Sequence, residues 1–112
     1  MDLIFSWKDF ESNASSCYKR LILDTNFTDV NLACDDNRQV KAHKVVLSSS
    51  SPVLEQILLA NPHQHPLIYL RKVKYSLIKF IYLGQTEVAQ AELEDFMSIA
   101  EELEVEGLKI KL

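Results

Sequence analysis

Asp29, His43 and the serine run Ser48–Ser51 carry the residue types of a nucleophilic triad: a hydroxyl to attack, an imidazole to take its proton and a carboxylate to orient the ring. The chain around them lacks what that chemistry needs. There is no Gly-x-Ser-x-Gly elbow, and only 2 glycines exist to shape tight turns or an oxyanion hole. No glycine-rich phosphate loop is present either. His63-x-His65 could offer two rings to a metal, but it lies between Pro62 and Pro66 with no further Cys or His nearby, so it reads as a turn with exposed rings. Cys17 and Cys34 occupy apolar positions of periodic segments and form no CxxC. They read as buried, reduced thiols, with a disulfide between them as the alternative, and reduced thiols fit a cytosolic or nuclear compartment. Glu101, Glu102, Glu104 and Glu106 read as a solvated helix face. The expectation is therefore no enzyme, no metal and no cofactor.

Composition agrees with one compact folded domain. The 112 residues are 47% hydrophobic and 25% charged, with 2 Gly and 3 Pro, which suits one domain spanning 1–112. Lys and Arg total 12 against 16 Asp and Glu, a net charge of −4. A surface that holds a phosphate backbone is normally basic, so direct nucleic-acid binding by this chain is not expected. No apolar run approaches the roughly 20 residues of a membrane span. Asp2, Ser6 and Lys8 interrupt what would be the apolar stretch of a secretory leader.

The elements that must position these residues follow from periodicity. Leu3, Phe5 and Trp7 alternate, so residues 1–8 read as a leading β-strand, which must add to a sheet edge of its own chain or of another. From Asp9 to Leu23 the spacing becomes helical, with Phe10, Ala14, Cys17, Tyr18, Leu21 and Ile22 on one stripe. That stripe packs either on its own core or on a second copy. Asp29 to Lys44 reads as a hairpin around the turn residues Asp35-Asp36-Asn37. Two helices follow, one starting at Ser51-Pro52. Leu67–Leu70 is a short strand, and Ser76–Leu83 is an apolar helix capped by Gly84. Thr86–Val88 is a small strand, and Glu92–Leu103 is a strong helix closed by Gly107, with Leu108–Leu112 as a short helical tail. The fold class is α+β, a small sheet surrounded by helices.

In that order these segments resemble a BTB/POZ domain. Phe27-Thr28-Asp29-Val30-Asn31-Leu32 and Val40-Lys41-Ala42-His43-Lys44-Val45-Val46-Leu47-Ser48 resemble the family's central signature, and Phe80-Ile81-Tyr82-Leu83-Gly84-Gln85 its second. The resemblance covers residues 10 to 108. Trp7-Lys8-Asp9-Phe10-Glu11-Ser12-Asn13, with Leu3 and Phe5 before it, is similar to the amino-terminal extension of the insect tramtrack-type subgroup, as is His65-Pro66-Leu67-Ile68 after Asn61-Pro62. The sequence departs from the pattern in two places. Ser6 stands where that extension usually has Arg, and Val73 to Tyr82 is about four residues short, close to one helical turn. The helix before Gly84 is therefore expected to be truncated, or its connection rebuilt.

The resemblance implies the BTB/POZ fold with an extra N-terminal strand (1–8) on a core of 9–110. It implies a homodimer, and for the subgroup higher multimers built from dimers, hexamers among them. Leu3, Ile4, Phe5, Trp7, Phe10, Ala14, Cys17, Tyr18 and Leu21 would form the interface. By residue type alone, Asp29 and Lys44 are a solvated pair flanking a hairpin; the resemblance places them instead in a charged pocket near the dimer axis. His43 and Gly84 are expected to be structural. The implied setting is a nuclear transcription regulator or chromatin-architecture protein, with other BTB proteins and transcriptional co-regulators as further partners. The alternative is a substrate adaptor for a cullin-type ubiquitin ligase.

Overall fold

Val30, Leu32 and Cys34 alternate with Asn31 and Ala33, and this makes Val30–Cys34 (β1) a strand with one dry face. In the computed structural model, which describes residues 1–105 and Gly107, β1 is the centre of a three-stranded sheet of order β2-β1-β3. Gln39–Ala42 (β2) pairs antiparallel with it, Val30 opposite Ala42 and Leu32 opposite Val40. Leu67–Leu70 (β3) pairs parallel, Leu32 opposite Ile68 and Cys34 opposite Leu70. A parallel partner needs a crossover, and two helices supply it: α2, Lys44–Ser50, and α3, Pro52–Leu59. Phe10–Arg20 (α1) precedes the sheet, while Tyr75–Leu83 (α4) and Leu93–Glu102 (α5) follow it, the latter entered through a 3-10 turn at Gln90–Glu92. The hairpin, β3 and the order of helices match the periodicities in the sequence.

One cluster forms the core. The dry row of β1 meets Val46 and Leu47 of α2, Leu54 and Leu58 of α3, Leu77, Ile78, Ile81 and Tyr82 of α4, and Phe96, Ile99 and Ala100 of α5. The sheet's other face is open, with Leu67 and Tyr69 exposed on β3. Gly84 ends α4 at φ 79 in the left-handed region, where its missing side chain removes the steric penalty.

Several boundaries differ from expectation. Residues 1–7 form no strand in the single chain, because a strand exists only with a ladder partner and neither edge of the sheet takes this segment. Thr86–Val88 also stays outside the sheet, for the same reason. Lys44 opens α2 rather than closing the hairpin. α5 ends at Glu102, where Glu104 turns left-handed at φ 54, so Gly107 does not close it. The short segment before Gly84 gives a nine-residue α4, entered through a left-handed Lys72 at φ 68. The tail Leu108–Leu112, the core boundary drawn at 110 and Glu106 of the acidic face lie outside the described residues.

Ser51 is fully buried and joins three helices. It separates α2 from α3, its Oγ accepts the Leu54 N–H at 3.0 Å as the N-cap of α3, and its hydroxyl donates to the Leu103 carbonyl at the end of α5. Ser51→Ala removes the cap and leaves a buried carbonyl unpaired. The expected loss is about 2–3 kcal/mol of unfolding free energy, read as a lower urea midpoint at unchanged slope.

Candidate self-association interface

α1 forms because Glu11 in its first turn and Lys19 and Arg20 in its last complement the helix dipole. Its start is irregular. Asp9 is left-handed at φ 56 and gives no side-chain cap; instead its carbonyl receives the Asn13 N–H at 2.9 Å and the Ser12 hydroxyl at 3.2 Å. An amphipathic helix normally hides its apolar face, yet α1 buries no residue. The stripe divides along its length. Tyr18, Leu21 and Ile22 are half-buried against the core, Tyr18 meeting Tyr82 of α4 with ring centroids 6.2 Å apart. Phe10, Ala14 and Cys17, at the other end, stay in water.

The leading segment extends that wet surface. Leu3 is 77% exposed, Ile4 93%, Phe5 91% and Trp7 65%. The Trp7 ring meets that of Phe10 edge-on, with centroids 5.1 Å apart. Cys17 is therefore not the buried thiol that its position in the stripe suggested. It lies exposed and its Sγ accepts from Arg20 Nη2 at 3.1 Å, whereas Cys34 is buried and both cysteines are free. The sequence stripe does not distinguish a helix that packs inward from one that packs on another chain.

Asp29 and Lys44 lie close together, but their charged groups do not pair. Asp29 Oδ1 accepts the backbone N–H of Lys44 at 2.8 Å, and so caps the first turn of α2 from across the hairpin. The Lys44 ammonium instead donates to the His63 carbonyl at 2.8 Å. His43 is buried at the corner between β2 and α2. Its backbone N–H donates to the Tyr82 hydroxyl oxygen at 2.9 Å, its Nδ1 lies 2.8 Å from the same hydroxyl, and its Nε2 lies 3.3 Å from the Asn26 carbonyl. One proton arrangement satisfies all three contacts: Tyr82 O–H donates to Nδ1, and Nε2–H donates to Asn26. The ring thus uses its bonds on Tyr82 and Asn26, with none to Asp29 or to the serine run, and the apparent triad does not assemble. His63 and His65 are exposed. Among the described residues no group of three or more His, Cys, Asp and Glu could hold a metal ion, and no helix is long and apolar enough to cross a membrane.

Four further residues were given no individual role in the sequence reading. Leu23 is 86% exposed just after α1, Phe27 91% in the loop before β1, and Val45 71% in the first turn of α2. Val45 could have been found, since Val45-Val46-Leu47 are consecutive in a helix and 100° steps cannot turn three neighbours to one core. Tyr82 is the fourth. Its pairing with His43 spans 39 residues of sequence and leaves no local signal.

The comparisons with known proteins place this geometry. A family model described as BTB/POZ domain matches residues 18–112. Protein abrupt of Drosophila melanogaster is 42% identical over 106 residues, a match to 91% of this chain and 12% of abrupt. The Longitudinals lacking protein-like of the same fly is 40% identical, covering 91% of this chain and 83% of that protein, and the alpha isoform of tramtrack is 38% identical over the same span. The chain therefore spans only about an eighth of abrupt but most of the shorter relative. Among solved structures, the BTB (Tramtrack and Bric a brac) domain of human Gigaxonin superposes with a TM-score of 0.71 at 20% identity, over 92% of this chain and 89% of that one.

Burial, above all, pushes the Tyr82 hydroxyl up to about 12, and likewise lifts the Cys34 thiol from 9.0 to about 11, with Asp36 adding to the latter. Both groups hold their protons more tightly folded than unfolded. Their contribution is complete below pH 9 and is lost as pH rises through 11 and 12. Melting temperature should therefore fall steeply above pH 9, and Tyr82→Phe should flatten the fall. At neutral pH the same variant leaves the His43 N–H and Nδ1 without their partner, and should cost about 1–3 kcal/mol in urea unfolding.

Proposed function

The chain belongs to the BTB/POZ family of protein–protein interaction modules, and we propose from that premise that it joins copies of itself through the leading segment and α1. The observation that carries this reading is the apolar surface left exposed from Leu3 to Cys17, on the leading segment and the part of α1 that precedes Tyr18. Exposed apolar surface of this extent marks an interaction site. A twofold contact suits it, because the same patch serves both partners.

Magnitudes decide how the two parts share the work. Ordering seven backbone residues costs about 7–14 kcal/mol. A strand buries one face, here Leu3, Phe5 and Trp7, which returns about 5–9 kcal/mol. Ladder hydrogen bonds add about 1 kcal/mol each. Docking of the leading segment is thus close to neutral by itself, so it links copies firmly only when several such strands act together on dimers that α1 already holds. Thr86–Val88 reads as a strand and is also unpaired in the single chain, so it offers a ladder to the incoming segment. In this reading α1 holds the dimer and the leading strand links dimers into higher multimers, hexamers among them.

The proposal extends to setting. In a longer, nuclear regulator of transcription or chromatin architecture, such a module raises the local concentration of attached DNA-binding segments and turns weak contacts into avid ones. Other BTB proteins and transcriptional co-regulators would meet the same surfaces.

Light scattering on the purified chain, with and without residues 1–8, tests the reading. The intact chain should exceed twice the chain mass, and the shortened one should fall to a dimer; a well-folded monomer at micromolar concentration would sink the proposal. Asp29→Asn keeps an acceptor for the Lys44 N–H while removing the charge. If the charge of Asp29 serves the dimer, this variant should weaken association with little change in melting temperature, whereas a purely capping role predicts unchanged association.

A further inference from the structure

β2 is an edge strand. The sheet order β2-β1-β3 leaves its outer side without a neighbouring strand among the described residues. The Cys34 N–H donates to the Arg38 carbonyl at 2.8 Å, and the Asp29 N–H to the Ala42 carbonyl at 3.0 Å. Bonding residues alternate along an antiparallel pair, so Arg38, Val40 and Ala42 bond toward β1. Gln39 and Lys41 turn the other way, and each offers one backbone donor and one acceptor to a further strand.

Beside that edge lies a groove of about 540 Å³, lined by residues 22–25, residues 38–41 and Tyr75. Its size falls in the range of about 300–1,000 Å³ that ligand sites occupy. The groove has two kinds of wall. Val40, Ile22 and Tyr75 are half-buried against the core and supply its apolar part. Gln39 and Lys41 are exposed, with Lys41 level with Asn31 in the ladder. The cations are the free charges. Arg38 stacks over the Tyr75 ring at 4.7 Å, and neither Arg38 nor Lys41 forms a salt bridge among the described residues. The carboxylates at hand already hold backbone N–H groups, Asp24 Oδ1 that of Asn26 and Asp36 Oδ2 that of Tyr75.

We propose that this groove receives an extended, acidic segment of another protein, which adds to the sheet beside β2. Charge decides the occupant. Cations along an edge repel a basic strand and are costly to cover with an uncharged one, but they attract carboxylates. Alternation decides the pattern. Residues of the incoming strand that face Val40, Ile22 and Tyr75 are apolar, and those between them, on the side of Lys41, are Asp or Glu. The leading segment of a second copy fits less well. It alternates Leu3, Phe5 and Trp7 on one face, but places Ile4, Ser6 and Lys8 on the other, with Asp2 as its one acid. The inference is independent of the self-association reading.

An end-blocked hexapeptide alternating glutamate and valine, added to the intact chain, is the probe. Its fluorescence anisotropy should give a dissociation constant of about 1 mM or tighter, weakening as salt is added. Hydrogen exchange at the Gln39 and Lys41 amides should slow when it binds. Lys41→Glu, at an exposed position, should weaken binding about tenfold or more; if that variant fails to fold, Lys41→Gln should still weaken it measurably. Absence of binding, equal binding by a peptide of lysine and valine, or unchanged exchange at Gln39 and Lys41 overturns the proposal. Light scattering separates the remaining occupant: if Lys41→Glu lowers the mass of the chain with no peptide present, the edge belongs to a second copy and the proposal fails.

Discussion

The fold depends on a central strand that is dry on one face and paired on both edges. Val30, Leu32 and Cys34 must leave water together, since a shift of one residue would turn the whole row to the open face. That register fixes β2 through Ala42 and β3 through Leu70. It also aims the ends of both neighbours. Ala42 leads into the corner held by His43, and Leu70 leads through Val73 into α4. A polar device sits at each exit. Asp29 caps α2 across the hairpin, while Asp36 Oδ2 accepts the Tyr75 N–H at the start of α4 at 3.1 Å, with Arg38 over the Tyr75 ring at 4.7 Å.

With the core satisfied in this way, the chain has apolar residues left over on its surface. Had they been scattered singly, they would be ordinary surface. Among the described residues most of them fall on the leading segment, the start of α1 and the α1–β1 loop, while Val45, Leu59, Leu67 and Tyr69 lie on α2, α3 and β3. The division of the α1 stripe at Tyr18 is the physical hinge of the matter. From Tyr18 onward the side chains reach Tyr82 and the core; before it, Phe10, Ala14 and Cys17 stay exposed among the described residues. Half-burial of Tyr18, Leu21 and Ile22 ties that end of the stripe to the core and leaves the other end exposed.

The polar interior serves the same end. His43, Tyr82 and Asn26 lock the corner from which α2 starts, and Ser51 locks the corner between α2 and α3 to the end of α5. No buried side-chain nitrogen or oxygen among the described residues lacks a hydrogen-bond partner, as a fully satisfied network requires. Rigidity at these corners keeps α2 and the loop at Phe27 in one arrangement. Stability is drawn from buried apolar rows, and positional accuracy from a few long-range hydrogen bonds.

Periodicity alone determined the hairpin, β3, α4 with its Gly84 cap, and the apolar faces of α3 and α5, because each is a local pattern that buries one face whatever lies opposite. The motifs around Asp29, His43 and Gly84 were equally legible as a family signature. Tertiary structure decided what local pattern leaves open. Leu3, Phe5 and Trp7 alternate like a strand, but a strand is a relation between two segments, and neither edge of the three-stranded sheet receives them. Cys17 has the spacing of a core residue, yet only packing shows that its end of α1 faces water. Asp29 and Lys44 look like an ion pair, but the geometry gives the carboxylate to a backbone N–H and the ammonium to His63. The Tyr82–His43 contact joins residues too far apart for any periodicity to register, because hydrogen bonds depend on distance in space and sequence patterns record only distance along the chain.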